Sequence, residues 1–215
     1  MSYQSSATAG GDTTSPAVSV PTGAQAGDVV LLVVTTDHTS TVFNGFWPSG
    51  FTHLDSIGTF GPDDQEAGIA YKVLSGADTG TYTTTIDCGT APWGIAAILM
   101  RGRDGTDVTA NTVASSNAAG TSPLSIVTNS ITALANDDIL MVMCPDPNTN
   151  NVATGFTAPA SYTQRVNGIN LGTGGKANIG IAVQEGVSAG ATGAVTGTYA
   201  FSSGTSGYAT WLVRM

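Results

Sequence analysis

The residues of this sequence best suited to acid–base catalysis are its two histidines, His38 and His53. His53 stands two residues before Asp55, and a histidine oriented by a carboxylate can act as a general base. Residues two apart on a regular strand point to the same face, so the spacing predicts that both side chains face the same way. We interpret the pair as a surface histidine beside a carboxylate.

Two glycine motifs match the sequence patterns of enzyme sites but lack the surrounding elements that those sites need. Residues 186–190 read G-x-S-x-G with Ser188 at the centre, but such an elbow needs a strand-to-helix turn and a later histidine, which the sequence lacks. Residues 172–177 read G-x-G-x-x-A, but the strand-like NIGIAV that follows offers no helix N-terminus for a pyrophosphate. This second motif is interpreted as a glycine-rich hairpin loop. We predict that the protein is not an enzyme and has no cofactor.

Two loops concentrate oxygen atoms of the kind that Ca²⁺ accepts, residues 61–66 (GPDDQE) and 146–151 (DPNTNN). The first lacks the ligand spacing of an EF-hand, and no cluster of histidines and cysteines has zinc spacing. Solvated turns are favoured for both, so the sequence predicts no metal site, with Ca²⁺ binding left open. Cys88 and Cys144 lie in strand-like segments; buried free thiols are favoured, and a disulfide between them is left open.

An aromatic segment, Phe43, Phe46 and Trp47, stands between two predicted strands together with Asn, Gly and Pro. An exposed aromatic there could stack on a sugar or enter a pocket of another protein. The competing interpretation is a loop folded over the end of the sheet, with Trp47 covering the core. Trp93 and Trp211 lie in strand patterns and are predicted to be core residues.

Charge limits the partners of this chain. Charged residues make up 10% of its 215 residues, and the net charge is −9, so binding to nucleic acid through phosphate contacts is excluded as an interpretation. The charge is uneven, because residues 1–112 carry eleven acidic and three basic side chains and residues 113–215 carry four and three. A nearly uncharged surface is easily desolvated, which suits assembly into a larger structure; a neutral soluble domain is the competing interpretation.

The composition predicts an all-β protein, because threonine, valine, isoleucine and aromatic residues alternate with glycine, proline, asparagine and aspartate. No apolar run reaches the 18 residues of a membrane-spanning helix, and the first residues lack the pattern of a Sec signal peptide. Strands are predicted near 16–20, 28–36, 51–57, 67–74, 80–87, 93–101, 124–128, 138–144, 161–166, 178–184, 194–201 and 207–214. The apolar run 28–36 predicts a central strand covered on both faces.

An internal repeat organises these strands. The segments AGDVVLLVVTTD (26–37), PSGFTHL (48–54), GIAYKVLSGADTG (68–80) and WGIAAILMR (93–101) recur as ANDDILMVMCPD, PASYTQR, GIAVQEGVSAGATG and SGYATWLVR, starting at 135, 159, 180 and 206. The offset between partners increases steadily, as loop insertions would produce. We predict two tandem antiparallel β-sandwich domains, jelly-roll or immunoglobulin-like, over residues 1–107 and 108–215.

These motifs carry a family resemblance. The runs "PTGAQAGDVVLLVV", "PSGFT", "AYKVLSGADTGTYT" and "WGIAAILMRGRD" are similar to a β-sandwich module of tailed-phage virion proteins and related bacterial proteins. Residues 16–104 carry the motifs well, and the second copy carries a degraded version without the glycine of "GD" and without the "WG" pair.

The resemblance implies a virion structural protein, made in the host cytoplasm and placed on the outer surface of the particle. Capsid decoration or cementing is the favoured role, with the major capsid protein or neighbouring virion subunits as partners and a homo-oligomer expected; no nucleic acid or membrane partner is expected. Residues 1–15 are predicted to be an N-terminal arm held by a neighbouring subunit or by the capsid lattice. The alternative is a tail, fibre or receptor-binding module that binds carbohydrate through Phe43, Phe46 and Trp47.

Overall fold

The structure, a computed structural model, describes residues 2–37, 47–61, 65–85, 90–102, 108–116, 122–147, 153–202 and 206–215. The chain is all-β with antiparallel sheets, as its composition predicts. Helical structure within these ranges is limited to a 3-10 turn, Thr173–Gly175. No helix in the described ranges has the length and hydropathy needed to cross a membrane.

The strands fall into two series, which we call the first half (residues 1–107) and the second half (residues 108–215). The first half contains β1 (Ser2–Gly11), β2 (Ala17–Ser19), β3 (Val29–Asp37), β4 (Thr52–Phe60), β5 (Gln65–Val73), β6 (Thr81–Thr83) and β7 (Trp93–Arg101). The second half contains β8 (Thr109–Ser116), β9 (Leu124–Val127), β10 (Thr132–Ala133), β11 (Asp137–Pro147), β12 (Ala153–Thr157), β13 (Thr163–Leu171), β14 (Ala177–Val187), β15 (Gly190–Ala191), β16 (Thr196–Phe201) and β17 (Ser206–Arg214).

Each half is built on a five-stranded sheet, and the two sheets have corresponding strand orders. The order is β1-β7-β3-β5-β4 in the first half and β8-β17-β11-β14-β13 in the second. The strands that the repeated sequence segments form occupy the same positions in both sheets. The boundary at residues 107 and 108, and the division into two independent sandwich domains, stay predictions.

Three apolar cores separate four layers. The inner core lies between the two large sheets and takes residues from both halves, among them Leu31, Ile98, Val142 and Trp211. A second core lies between the first large sheet and the β2–β6 pair. The third lies between the second large sheet and the sheet β12-β16-β9. Each central strand is therefore buried on both faces, as predicted for residues 28–36, and Val29–Thr36 is fully buried.

The contacts between the large sheets are reciprocal. Edge strand β1 of the first half lies against β13 of the second, and β4 lies against β8, which is the equivalent pair with the halves exchanged. Ser6 Oγ donates to the Arg165 carbonyl at 3.1 Å, and the Arg165 guanidinium lies 4.4 Å from the centre of the Tyr3 ring. The two halves therefore pack as two copies of one subunit would around a two-fold axis.

The N-terminal segment is part of this sheet. Ser2–Gly11, which falls within the predicted N-terminal arm, forms β1 and pairs with β7 along its whole length, with one bulge near Tyr3. Its small side chains Ala7 and Ala9 pack on the core beneath β2 and β6. Pairing with β7 accounts for the strand conformation of residues 2–11, and the contact of this segment with a neighbouring subunit or the capsid lattice stays a prediction.

Candidate functional site

His53 and Asp55 are separated by a bulge in β4, so the expectation that they share a face is wrong. His53 pairs with Ala70 of β5, and Asp55 pairs with the adjacent residue, Ile69. An advance of two residues along β4 therefore matches an advance of one residue along β5, which is a β-bulge. The His53 ring stacks on Trp47 with ring centres 6.0 Å apart. Asp55 Oδ2 instead accepts a hydrogen bond from Trp211 Nε1 at 3.0 Å in the inner core. The pair that the sequence suggested as a general base is not assembled.

The two glycine motifs lie at strand ends. Ser188 is exposed in the two-residue connection between β14 and β15, with no strand-to-helix turn around it. Residues 172–177 connect the paired strands β13 and β14 through the 3-10 turn, so the predicted hairpin loop is confirmed. Gly172 and Gly174 both have positive φ, 73° and 74°, which explains the glycines by backbone geometry.

The predicted contact segment is described only at Trp47, since Phe43 and Phe46 lie outside the described residues. Trp47 is partly buried and packs on the core shared with β2 and β6. Contact with a ligand or protein through this segment stays a prediction. Trp93 and Trp211 are core residues, 6% and 0% exposed, as predicted.

The oxygen-rich loops are partly outside the description. Residues 62–64 and 148–151 are not described, whereas Glu66 and Asp146 belong to strands and are buried. Within the described ranges, no three His, Cys, Asp or Glu side chains are grouped so that they could hold a metal ion. Cys144 is a buried free thiol, and burial raises its pKa; Cys88 lies outside the described residues.

An Asp–Arg ion pair lies at the end of β7, the last strand of the first half. Arg101 donates from Nε and Nη2 to both carboxylate oxygens of Asp28 at 2.9 Å, and Nη2 also donates to the Gly23 carbonyl at 2.7 Å. Asp28 Oδ2 accepts a further bond from the Gln25 amide at 2.9 Å. These hydrogen bonds, chiefly those from Arg101, hold the pKa of Asp28 below its ordinary value.

The second half repeats this pair in a looser form. Arg214 Nε lies 3.6 Å from Asp137 Oδ2, and Arg214 Nη1 donates to the Thr132 carbonyl at 3.0 Å. Asp137 Oδ2 accepts from the Leu134 amide at 2.6 Å, as Asp28 accepts from Gln25. The pair fixes the turn before the central strand in both halves, which assigns these ionised groups to the scaffold.

The outer sheet of the second half presents an uncharged face. Strands β9, β12 and β16 contain no charged residue. Ser125, Thr198 and Thr157 form a row across the three strands through direct register pairs. We call the following set the uncharged face: Ser125, Val127, Thr154, Thr157, Thr196 and Thr198.

The sequence signals this face only in part. The sequence itself shows that charged residues are scarce after residue 112. Strands β9 and β16 match the strands predicted near 124–128 and 194–201. Strand β12 was not predicted, because ATGFT is short and interrupted by glycine, and a bulge at Ala153 and Gly155 breaks its pairing with β16. Without β12 the outer sheet would have two strands, and the width of the face would be missed.

Comparison with known proteins gives no match: no protein-family model, no curated protein and no solved structure matches this chain.

Proposed function

We propose that the protein is a structural component of a tailed-phage virion, and that it decorates the outer surface of the capsid. Its partners in this role are the major capsid protein or neighbouring virion subunits. The observation that carries the proposal is the uncharged face of the second half, a three-stranded surface of threonine, serine and valine. The resemblance of the first-half motifs to virion β-sandwich modules supports the same role.

The uncharged face suits a permanent contact because covering it costs little. No ionised side chain on β9, β12 or β16 would lose its hydration. Threonine and valine are β-branched and already restricted on a strand, so little side-chain entropy is lost when they are covered. Hydroxyl groups can still form hydrogen bonds with a partner at the same time.

Charge is distributed unevenly between the two halves, and this asymmetry fits the proposal. The acidic side chains are concentrated before residue 113, whereas the uncharged face belongs to the second half. A decoration protein bound through this face would place the half with the greater excess of acidic side chains, eleven against three basic in residues 1–112, farther from the capsid. Like-charge repulsion between particles would then favour their dispersion.

Cosedimentation with undecorated capsids of the presumed phage tests this proposal. The double variant Ser125→Glu/Thr157→Glu places two carboxylates at exposed positions of the row across the uncharged face. The matched control, Ser19→Glu/Thr81→Glu, adds the same charge at the exposed pair on the outer face of the first half. We expect saturable binding of the wild type at a fixed ratio to the capsid protein. The first variant should bind roughly tenfold or more weakly, and the control should bind as the wild type does.

Absence of binding to capsids would overturn the decoration role, and equal binding by both variants would overturn its assignment to the uncharged face. Binding to tails or fibres instead would support the alternative, a receptor-binding module. Trp47→Ala then becomes the informative change, because the alternative places carbohydrate binding at Phe43, Phe46 and Trp47.

A further inference from the structure

A cleft of about 630 Å³ opens in the second half, beside the uncharged face, with which it shares Thr196. Three stretches form its walls: the turn before β13 (159–162), the end of β14 with β15 (184 and 187–192), and the start of β16 (194–196). Its volume falls in the range of about 300–1,000 Å³ that small-molecule sites occupy. The side chains of the lining that can form hydrogen bonds are those of Ser161, Tyr162, Gln184, Ser188, Thr192 and Thr196.

The first half supplies an internal comparison for this cleft. The Phe51 amide donates to the Pro48 carbonyl and the Tyr162 amide to the Pro159 carbonyl, both at 3.1 Å, which makes Phe51 and Tyr162 equivalent. In the first half the Phe51 ring is packed edge-on by Tyr82, with ring centres 5.0 Å apart. The aromatic position is therefore covered there.

The equivalent of Tyr82 in the second half is a glycine. The Val20 amide donates to the Gly80 carbonyl at 3.0 Å, and the Thr128 amide donates to the Val195 carbonyl at 2.8 Å. The residue two positions after Gly80 is Tyr82, and the residue two positions after Val195 is Gly197. Gly197 has no side chain, and a Cβ there would lie only 2.8 Å from Met143 Sδ, so a ring like that of Tyr82 has no room at this position. Tyr162 lines the cleft beside the start of β16.

One wall of the cleft is held in place by the short β10–β15 ladder, which pairs Thr132 with Ala191. Thr192 Oγ1 accepts a hydrogen bond from the Ile131 amide at 3.1 Å, and the Gly193 amide donates to Ser130 Oγ at 3.1 Å. The wall is therefore fixed before any ligand arrives, which reduces the ordering cost of binding.

From this geometry we propose that the cleft binds a neutral saccharide. Its lining contains hydroxyl groups, one carboxamide and one tyrosine, and no charged side chain. Hydroxyl and carboxamide groups both donate and accept hydrogen bonds, as the hydroxyls of a sugar do. The tyrosine adds an apolar ring that can lie against the C–H face of a pyranose. An ionised ligand would lose its hydration without gaining an opposite charge.

Saturation-transfer NMR tests the proposal with galactose, N-acetylglucosamine, rhamnose and their neutral oligomers as probes. The variant Thr196→Trp fills the cleft from an exposed position, and Thr81→Trp is its matched control, since Thr81 follows Gly80 as Thr196 follows Val195. We expect at least one probe to bind with a Kd of about 1 mM, and the Kd to rise about tenfold in Thr196→Trp but not in Thr81→Trp. Oligomers that bind more tightly than monomers would indicate a polysaccharide source, and equal affinity a free sugar.

Two results would overturn the inference: no probe binds at roughly ten times the expected Kd, or a probe binds equally well to Thr196→Trp and the wild type. Binding that survives in Thr196→Trp and is lost in Trp47→Ala would place the sugar at the contact segment instead. The inference does not rest on capsid decoration: the cleft lining shares only Thr196 with the uncharged face, and the capsid test changes Ser125 and Thr157, which are outside the lining. Sugar binding and cosedimentation therefore fail independently.

Discussion

The two halves have corresponding strand orders and differ in what lies outside their large sheets. The first half is covered by β2 and β6, three residues each, and the second by three longer strands and the β10–β15 ladder. The Asp–Arg pair is bidentate in the first half and 3.6 Å apart in the second. The inner faces, by contrast, contribute to one shared core.

This difference indicates which parts of the molecule are constrained by packing. A residue on an inner face meets the other half, so its size and polarity are fixed by both sheets. A residue on an outer face meets only a cover that differs between the halves. The uncharged face and the cleft both arise on the outer side of the second half, where the covering strands differ from those of the first half.

The largest expected effect comes from emptying the shared core. Trp211 is fully buried between the sheets, and its indole donates to Asp55 of the first half. We expect Trp211→Ala to lower the free energy of unfolding by about 3–5 kcal/mol. Because the core is shared, amide exchange should accelerate in β3 as well as in β11. Hydrogen exchange read by mass spectrometry measures both.

The same measurements on Trp211→Ala would also detect independent unfolding of the two halves. Faster exchange confined to the second half, or two separate thermal transitions, would show that residues 1–107 and 108–215 unfold as independent domains. The reciprocal sheet packing would then contribute little to the stability of the first half.

Two equivalent glycines test the close approach of the halves. Gly61 and Gly172 follow β4 and β13 and have nearly equal φ, 74° and 73°. A Cβ on Gly61 would overlap the Asp146 side chain of the other half, whereas a Cβ on Gly172 would lie 3.0 Å from Pro92 Cβ and Trp93 N. Backbone strain is common to both, so we expect Gly61→Ala to cost about 3 kcal/mol or more and Gly172→Ala about 1–2 kcal/mol.

Urea unfolding of the two glycine variants gives this comparison directly. Equal losses would mean that the Asp146 side chain moves aside without cost, and that the approach of the two halves at this point is not tight. A greater loss in Gly172→Ala would reverse the assignment of the closest contact.

Sequence patterns predicted the strands that are apolar enough to require burial whatever their neighbours are. The apolar runs that form β3, β7, β11 and β17 require burial wherever they are placed. Strand β1 was missed because SYQSSATAGG has small and polar residues without alternation. It becomes a strand through its pairing with β7 and its contact with β13, neither of which leaves a signal in the local sequence.

The site was less predictable than the fold. A bulge of one residue separates His53 from Asp55, and bulges have no reliable sequence signature at this position. The cleft is lined by Tyr162, whose alignment with Phe51 the repeat does show, and it lies beside the start of β16, where Gly197 is aligned with Tyr82. The second alignment is set by hydrogen bonds between strands and cannot be read from the letters.

The smallest expected effect concerns the two Asp–Arg pairs. Asp28→Asn removes the carboxylate charge and replaces one of the two oxygens that accept from Arg101 with an amide NH2. It should lower the free energy of unfolding by about 1 kcal/mol at neutral pH. Asp137→Asn is the matched control, and it should lower the free energy of unfolding less because Arg214 Nε is 3.6 Å away. Chemical unfolding at pH 7 measures both, and equal losses would show that the bidentate geometry adds nothing.

The pH dependence of that loss identifies its origin. The pKa of Asp28 in the folded protein is lowered, mainly by Arg101, from an ordinary value of 3.8. Its stabilising contribution is therefore fully present above pH 3.8, and it disappears as the pH falls through the lower pKa of the folded state. The wild type and Asp28→Asn should converge in stability over that acidic interval. A difference that persists unchanged below the folded pKa would assign the loss to packing of the amide, because the carboxylate would then already be neutral in both states.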